Sequence, residues 1–296
     1  DPARIAVIAV DGPIVRGRSS LFARDREAAA QTIVDAVKDA REDKRVKAII
    51  LRVSSPGGSY VASDTILHAL SAARAGGLPV IVSMSDMAAS GGYFVALAAD
   101  HVVAHPNTIT GSIGVVSGKL NLAGLLAEYG IRTDSVSAGR NADMFSMTKP
   151  FSAAESARLD AVLDTIYEDF TTKVAAARRL GPAEIDAAAR GRVWSGLDAK
   201  RIGLVDVLGG YAEAEGLARD AAGIAPESRT AMVAYPEARQ DLDAFMTALE
   251  EGEIGESVSR LDALLTFIRY SGIIESVLNN TGGGRIAASA PPLTVR

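Results

Sequence analysis

Residues 46–94 read VKAIILRVSSPGGSYVASDTILHALSAARAGGLPVIVSMSDMAASGGYF, and this stretch decides the fold. Val46 to Val53 (VKAIILRV) is a nearly continuous apolar run, the mark of a strand covered on both faces. It ends in Ser54-Ser55-Pro56-Gly57-Gly58. A helix is expected from about Val61 to Ala75. Pro79 to Met84 (PVIVSM) is the next buried strand. A turn follows, then Ser90-Gly91-Gly92-Tyr93-Phe94, which opens a helix to Ala99. Strand and helix alternating at this spacing predict βαβ units and a parallel sheet.

The same alternation extends both ways. Upstream, Ile5 to Val10 (IAVIAV) reads as a buried strand, and Asp25 to Arg41 as a helix with Ile33, Val34 and Val37 on one face. Downstream, His101 to Ala104 and Ile113 to Val116 are short strands. Ala153 to Arg179 is a long amphipathic helix, with Leu159, Val162, Leu163, Ile166, Phe170 and Val174 at helical period. Pro182 starts a short helix at the position where proline costs least. Beyond Ile224 the character changes. Two expected units result: an α/β domain over 1–224, and an extension over 225–296 with a strand, amphipathic helices (Asp241 to Glu250, Val258 to Leu278) and a mobile end at Thr281-Gly-Gly-Gly and Pro291-Pro292. Asp262, Arg269 and Glu275 argue that Leu261 to Leu278 does not span a bilayer. It either docks on a partner or membrane surface or closes a core.

Bulk composition excludes several classes. The 296 residues are 48% hydrophobic and 23% charged, with net charge −5, so no general affinity for nucleic acid is expected. There are no cysteines, hence no disulfide, thiolate metal site or cysteine nucleophile. His68, His101 and His105 are too few and too clustered to suggest metal chemistry, and no cofactor is expected. No run of about 18 apolar, uncharged residues is present. Asp1-Pro2-Ala3-Arg4 leads straight into a strand, so the expectation is that an anchor or upstream domain has been removed.

Two loops carry the chemistry. In a parallel sheet, ligands gather at the carboxyl ends of strands. After the first strand, Pro56 and two glycines can leave backbone N–H groups facing outward, able to hold an oxyanion. After the next strand, Ser90 sits among small residues where strand gives way to helix, the setting of a nucleophile elbow, although the stretch is not G-x-S-x-G. A plain tight turn and a serine N-cap are the ordinary alternatives for each loop alone. Side by side at one sheet edge, one loop supplies donors and the other a nucleophile with its own following N–H.

The blocks LRVSSPGGSYVAS, SMSDMAASGGYFVALAADHVVAHPNTITGSIGV and GRVWSGLDAKRIGLVD resemble the signal peptide peptidase A family, over about Arg4 to Leu217. The resemblance implies the Clp protease and crotonase fold, a spiral of parallel βαβ units. It implies a membrane-associated serine peptidase that degrades cleaved signal peptides with a serine nucleophile and a lysine base, without metal or cofactor. By position Ser90 matches the nucleophile, Gly58 and Gly91 the oxyanion-hole donors, and Gly57 a residue shaping the first loop. Ser112, in Gly111-Ser112-Ile113-Gly114, falls in a block beside the site. Trp194 and Leu204-Val205-Asp206 match a block read as structural.

The lysine departs from the pattern. Short family members carry it in G-x-x-K-[DS]; here the segment is Gly139-Arg140-Asn141-Ala142-Asp143, with Ala142 in the lysine slot. Three explanations stand. The chain is a serine-bearing second half whose lysine comes from an N-terminal half, as in the long duplicated members; this is the favoured one. Alternatively, Ala142 is an engineered knock-out, or Lys149 or Lys119 substitutes. No histidine lies near Val115, where a Clp-type triad would want one. Met84, Met87 and Met144 either line an apolar substrate groove or fill the core.

The expected function is therefore a serine endopeptidase acting on hydrophobic peptides, on the periplasmic side of a bacterial inner membrane. The expected assembly is a homo-oligomer, anchored through a missing N-terminal segment. A crotonase-type acyl-CoA enzyme, for which Asp86 and Glu128 are loose candidate carboxylates, and a non-catalytic scaffold are the competing readings.

Overall fold

In the computed structural model, eight strands join in one sheet and every pairing but one is parallel. The structure describes residues 2–19, 26–225 and 227–236. Strands β1 (Ala3–Asp11), β2 (Ile14–Val15) and β3 (Ala28–Ala29) precede helix α1 (Ala30–Glu42). Strand β4 (Val46–Ser55), helix α2 (Tyr60–Ala75) and strand β5 (Val80–Ala89) form the central βαβ unit. Helix α3 (Gly91–Phe94) runs on as a 3-10 turn over Val95–Ala98 into β6 (His101–Ala104) and β7 (Ile109–Gly111). Helices α4 (Ala123–Glu128), α5 (Ala153–Arg178) and α6 (Pro182–Ala188) follow. Strand β8 (Val193–Ser195), helix α7 (Gly196–Arg201), strand β9 (Val207–Leu208), helix α8 (Tyr211–Ala221) and strand β10 (Thr230–Tyr235) complete the described chain.

The strand order is β10-β1-β4-β5-β6-β9, with β7 on the far end of β5 and β8 antiparallel to β7. On one face Ile8, Val10, Ile49, Leu51 and Val82 pack with Ile33 and Val37 of α1 and Ile66 and Leu70 of α2. On the other, Ile5, Ala48, Ile50, Ile81 and Val103 pack with Ala214 and Ala218 of α8. Layers on both faces explain the unbroken apolar run of β4. This is the spiral of parallel βαβ units that the signature blocks imply.

Four details differ from the sequence reading. Helix α1 starts at Ala30 rather than Asp25, because Ala28 and Ala29 are held as a strand against Ile14 and Val15. Strand β5 does not end at Met84. Its register against β4 jumps from Val53↔Met84 to Ser55↔Ala88, and Met87–Ala89 then pair with β7. That bulge carries the strand to the residue before Ser90. Ile113 to Val116 is not a strand. The strand is Ile109–Gly111, and the chain turns out of it at Gly111 (φ 78°) and Ser112 (φ 51°). Finally, the apolar stripe of α5 is fully buried only at Phe170 and Val174, while Val162 is 41% exposed.

The strand expected within 225–296 is Thr230–Tyr235, which lies parallel to β1 in the main sheet. The helices expected at Asp241 to Glu250 and Val258 to Leu278 lie outside the described residues.

Candidate active site

Strands β4 and β5 are neighbours and parallel, so the loops leaving their carboxyl ends meet. The first loop is Pro56-Gly57-Gly58. Gly57 has φ 100° and Gly58 φ 153°, and Gly58 bridges to Ile14. A Cβ on Gly57 would lie 2.8 Å from the Ser90 Cβ and 2.7 Å from the Gly91 nitrogen. A Cβ on Gly91 would lie 2.5 Å from the Ser63 hydroxyl and 3.2 Å from the Gly58 nitrogen. The two loops therefore touch backbone to backbone, at a distance only glycine permits. Among the described residues, neither the Gly58 nor the Gly91 N–H donates a backbone hydrogen bond.

Ser90 has φ 52° and ψ −118°, a sparsely populated conformation for a residue with a side chain. Its backbone is held at both ends. The Ser90 N–H donates to the Gly111 carbonyl (2.9 Å), and the Ser90 carbonyl accepts from the Phe94 N–H (2.8 Å). The hydroxyl is left at a sharp strand-to-helix turn facing a cavity of about 530 Å3. Ser112 also lines that cavity, its own N–H fixed to the Arg192 carbonyl at 2.7 Å.

Tyr60, Phe94, Ile166 and Phe170 form an apolar side of the wall, with Ser63 and backbone glycines elsewhere in it. Phe94 meets Tyr60 edge-on at 5.5 Å and Phe170 at 4.9 Å. Behind them stands a polar network that sequence reading missed. The Tyr60 hydroxyl donates to Asp169, and Lys173 bonds Asp169 (2.7 Å) and Asp64 (2.8 Å). Burial, then the bond to Asp169, pushes the Tyr60 phenol up to about 12. Burial alone would lower Lys173, but its two carboxylates outweigh that and hold it above the ordinary lysine range. Lys173 is thus a fixed cation, not a base. Asp64 and Asp169 are about a hundred residues apart, and no local motif signals their meeting.

Ala142 is exposed, in a turn whose nearest side-chain neighbour to Gly139 is Ala142 itself. Neither substitute lysine is brought to Ser90. The Lys149 amine bonds Asp143 (2.8 Å) and Glu155 (3.0 Å), which raise its pKa, the wrong direction for a base. Lys119 donates to the Met144 carbonyl at 2.6 Å and stacks on Phe151. Of the two readings of Met84, Met87 and Met144, the structure gives core filling for Met84, which is buried, and none of the three lines the cavity at Ser90; Met87 lies on the bulged part of β5. Asp86, Glu128 and all three histidines are exposed, and none lines it. Trp194 is structural, its ring over Gly111 and its indole N–H on the Ala188 carbonyl. Leu204 and Val205 are buried, and Asp206 accepts from the Val102 N–H.

A strained serine between two strand ends, beside the unengaged amides of Gly58 and Gly91 and a cavity walled in part by aromatic rings, is what these two loops build on a parallel α/β sheet. Comparison with known proteins gives the family. Residues 72–225, more than half of the chain, match peptidase family S49, and the chain belongs to that family. It is 44% identical to Protease 4 of Salmonella typhi over 71% of this chain and 33% of that protein. It is 33% identical to the chloroplastic serine protease SPPA of Arabidopsis thaliana, over 85% and 37%. It is 33% identical to the putative signal peptide peptidase SppA of Enterococcus faecium, over 71% and 61%. The chain thus spans about a third of the length of the first two relatives.

Proposed function

We propose that this chain is the serine-bearing part of a serine–lysine endopeptidase that degrades hydrophobic peptides, cleaved signal peptides among them. The observation that carries the reading is the juxtaposition of Ser90, at φ 52°, with the unengaged amides of Gly58 and Gly91. The Ser90 oxygen attacks the scissile carbonyl carbon and its proton passes to a neutral lysine amine. The carbonyl oxygen becomes an oxyanion and takes hydrogen bonds from the Gly58 and Gly91 amides. The intermediate collapses to an acyl-serine as the amine leaves with the proton, and water completes the turnover. Tyr60, Phe94 and Phe170 receive an apolar side chain of the substrate.

The lysine comes from a second, lysine-bearing half, since Ala142 has no amine and Lys119 and Lys149 are engaged elsewhere. A partner surface is supported by the apolar residues exposed between Val116 and Val162. Val116 is 94% exposed, and Leu120, Tyr129, Phe145 and Met147 also face outward. The reading extends to a homo-oligomer, anchored by an N-terminal segment at the periplasmic side of a bacterial inner membrane. Among the described residues no helix is long and apolar enough to cross a membrane.

The test is hydrolysis of a hydrophobic peptide by this chain with and without a lysine-bearing half. Cleavage should require both, and Ser90→Ala should abolish it. Full-rate cleavage by this chain alone sinks the shared-lysine reading; cleavage surviving Ser90→Ala sinks the nucleophile.

A further inference from the structure

Across the sheet from the serine cavity lies another of about 400 Å3, lined by Arg52 together with Ser85, Asp86, His105, Asn107 and the apolar Met84 and Ile109. Arg52 breaks the pattern of its strand. Along β4, Ala48 and Ile50 face α8 and are fully buried, and the next residue on that side is Arg52. A half-buried guanidinium on a central strand ordinarily stands against a carboxylate. Here it has none among the described residues. Its Nη1 donates to the Ser83 hydroxyl (2.8 Å) and the Met84 carbonyl (3.3 Å), and its Nη2 to the Ser85 hydroxyl (3.0 Å). All three acceptors are neutral, so the guanidinium is held in place by hydrogen bonds and by no ion pair among the described residues.

Nε–H makes no hydrogen bond among the described residues, and the Nε–Nη2 edge of a guanidinium can take a carboxylate or phosphate with two parallel bonds. Around it the cavity offers further donors. Asn107 lines it, and its side-chain amide makes no hydrogen bond among the described residues. His105 lines it too, its Nδ1 accepting from the Asn107 N–H, which leaves Nε2 as the donor. The Asp86 carboxylate is on the rim, exposed and in no ion pair with Arg52.

We propose that this cavity is an anion site in which Arg52, Asn107 and His105 hold a small oxyanion, carboxylate or phosphate. It is separate from the Ser90 cavity and does not rest on the peptidase reading. Unlike a surface lysine cluster, its central cation is anchored by three bonds to consecutive residues of β5, so the ligand meets a preorganised fork.

The test is thermal unfolding of the whole chain in inorganic phosphate and in succinate, each against sodium chloride at equal ionic strength. A ligand at about ten times its Kd should raise Tm by about 2–5 °C. The shift should vanish in Arg52→Gln and shrink in Asn107→Ala. A shift with phosphate alone assigns a phosphoryl ligand; a shift with both assigns any oxyanion; a shift with succinate alone assigns a carboxylate. No shift above chloride, or an equal shift in wild type and Arg52→Gln, overturns the site. Should Arg52→Gln not fold, an undiminished shift in an Asn107→Ala, His105→Ala double variant overturns it equally, since both side chains are exposed.

Discussion

Ser90 and Gly111 are joined by one hydrogen bond, from the serine N–H to the glycine carbonyl at 2.9 Å, and that bond pins the serine at φ 52°. Gly111 belongs to β7, which is paired to the bulged end of β5. The strand that delivers Ser90 and the strand that holds it are thus hydrogen-bonded neighbours. The strain at Ser90 is sustained by the sheet itself, and among the described residues no side chain bonds its hydroxyl.

That strain is measurable. A residue with a side chain in this conformation costs about 1–3 kcal/mol, which glycine avoids at about 0.5–1 kcal/mol of unfolded-state entropy. Ser90→Gly should therefore be more stable than Ser90→Ala by about 1 kcal/mol, with both inactive. Urea denaturation of the two variants checks this. Equal stability means the elbow is unstrained.

Gly91 is a packing requirement as much as a donor. Gly91→Ala drives a methyl against the Ser63 hydroxyl and should cost about 1–3 kcal/mol. Ser63→Ala removes that hydroxyl, so the double variant should recover part of the loss. It should not recover all, because the Gly58 nitrogen and the Gly57 Cα remain at 3.2 and 3.3 Å. A double-mutant cycle on unfolding free energies measures the coupling. Strict additivity removes the steric argument.

The loops were legible in the sequence and their supports were not. Pro56 to Gly58 and Ser90 to Gly92 announce themselves because a strand ending in small residues is a local pattern. The extension of β5 to Ala89 was hidden. Ser85 and Asp86 interrupt the apolar run, and the pairing that sustains it comes from Ile109–Gly111, some twenty residues on. Ile113 to Val116 looked more strand-like than Ile109–Gly111, but β8, more than eighty residues away, pairs with the latter. Arg52 reads locally as one polar residue in an apolar strand, and nothing near it in the sequence says that no carboxylate pairs with it.

Tyr60 separates packing from hydrogen bonding at the cavity wall. Tyr60→Phe keeps the ring against Phe94 and loses the bond to Asp169, for about 1 kcal/mol of stability. Tyr60→Ala removes the wall. In the lysine-complemented enzyme it should shift the kcat/KM ratio toward bulkier apolar side chains by about tenfold. Unchanged selectivity in Tyr60→Ala would place the substrate side chain elsewhere.

The link from α5 to the strand end at β9 is an ion pair, and pH reads it. Arg178 donates to both Asp206 oxygens (2.9 and 2.6 Å) and to the Gly203 carbonyl, while Tyr93, fully buried, donates to the Leu204 carbonyl beside it. Burial of Asp206 would raise its pKa, but Arg178 and the Val102 N–H outweigh it, and the carboxyl lies below the ordinary range. A depressed folded pKa contributes stability that is fully present above the unfolded value of about 4 and is lost as pH falls through the folded value. Asp206→Asn should cost about 1–3 kcal/mol at pH 7, since it leaves the half-buried guanidinium without its counter-charge. The gap between wild type and Asp206→Asn should then narrow steadily below about pH 4, because acid neutralises in the wild type the charge the variant already lacks. Urea midpoints taken from pH 7 down to pH 3 test the sign: a gap that stays constant or widens on acidification would mean that Asp206 contributes by shape and not by charge.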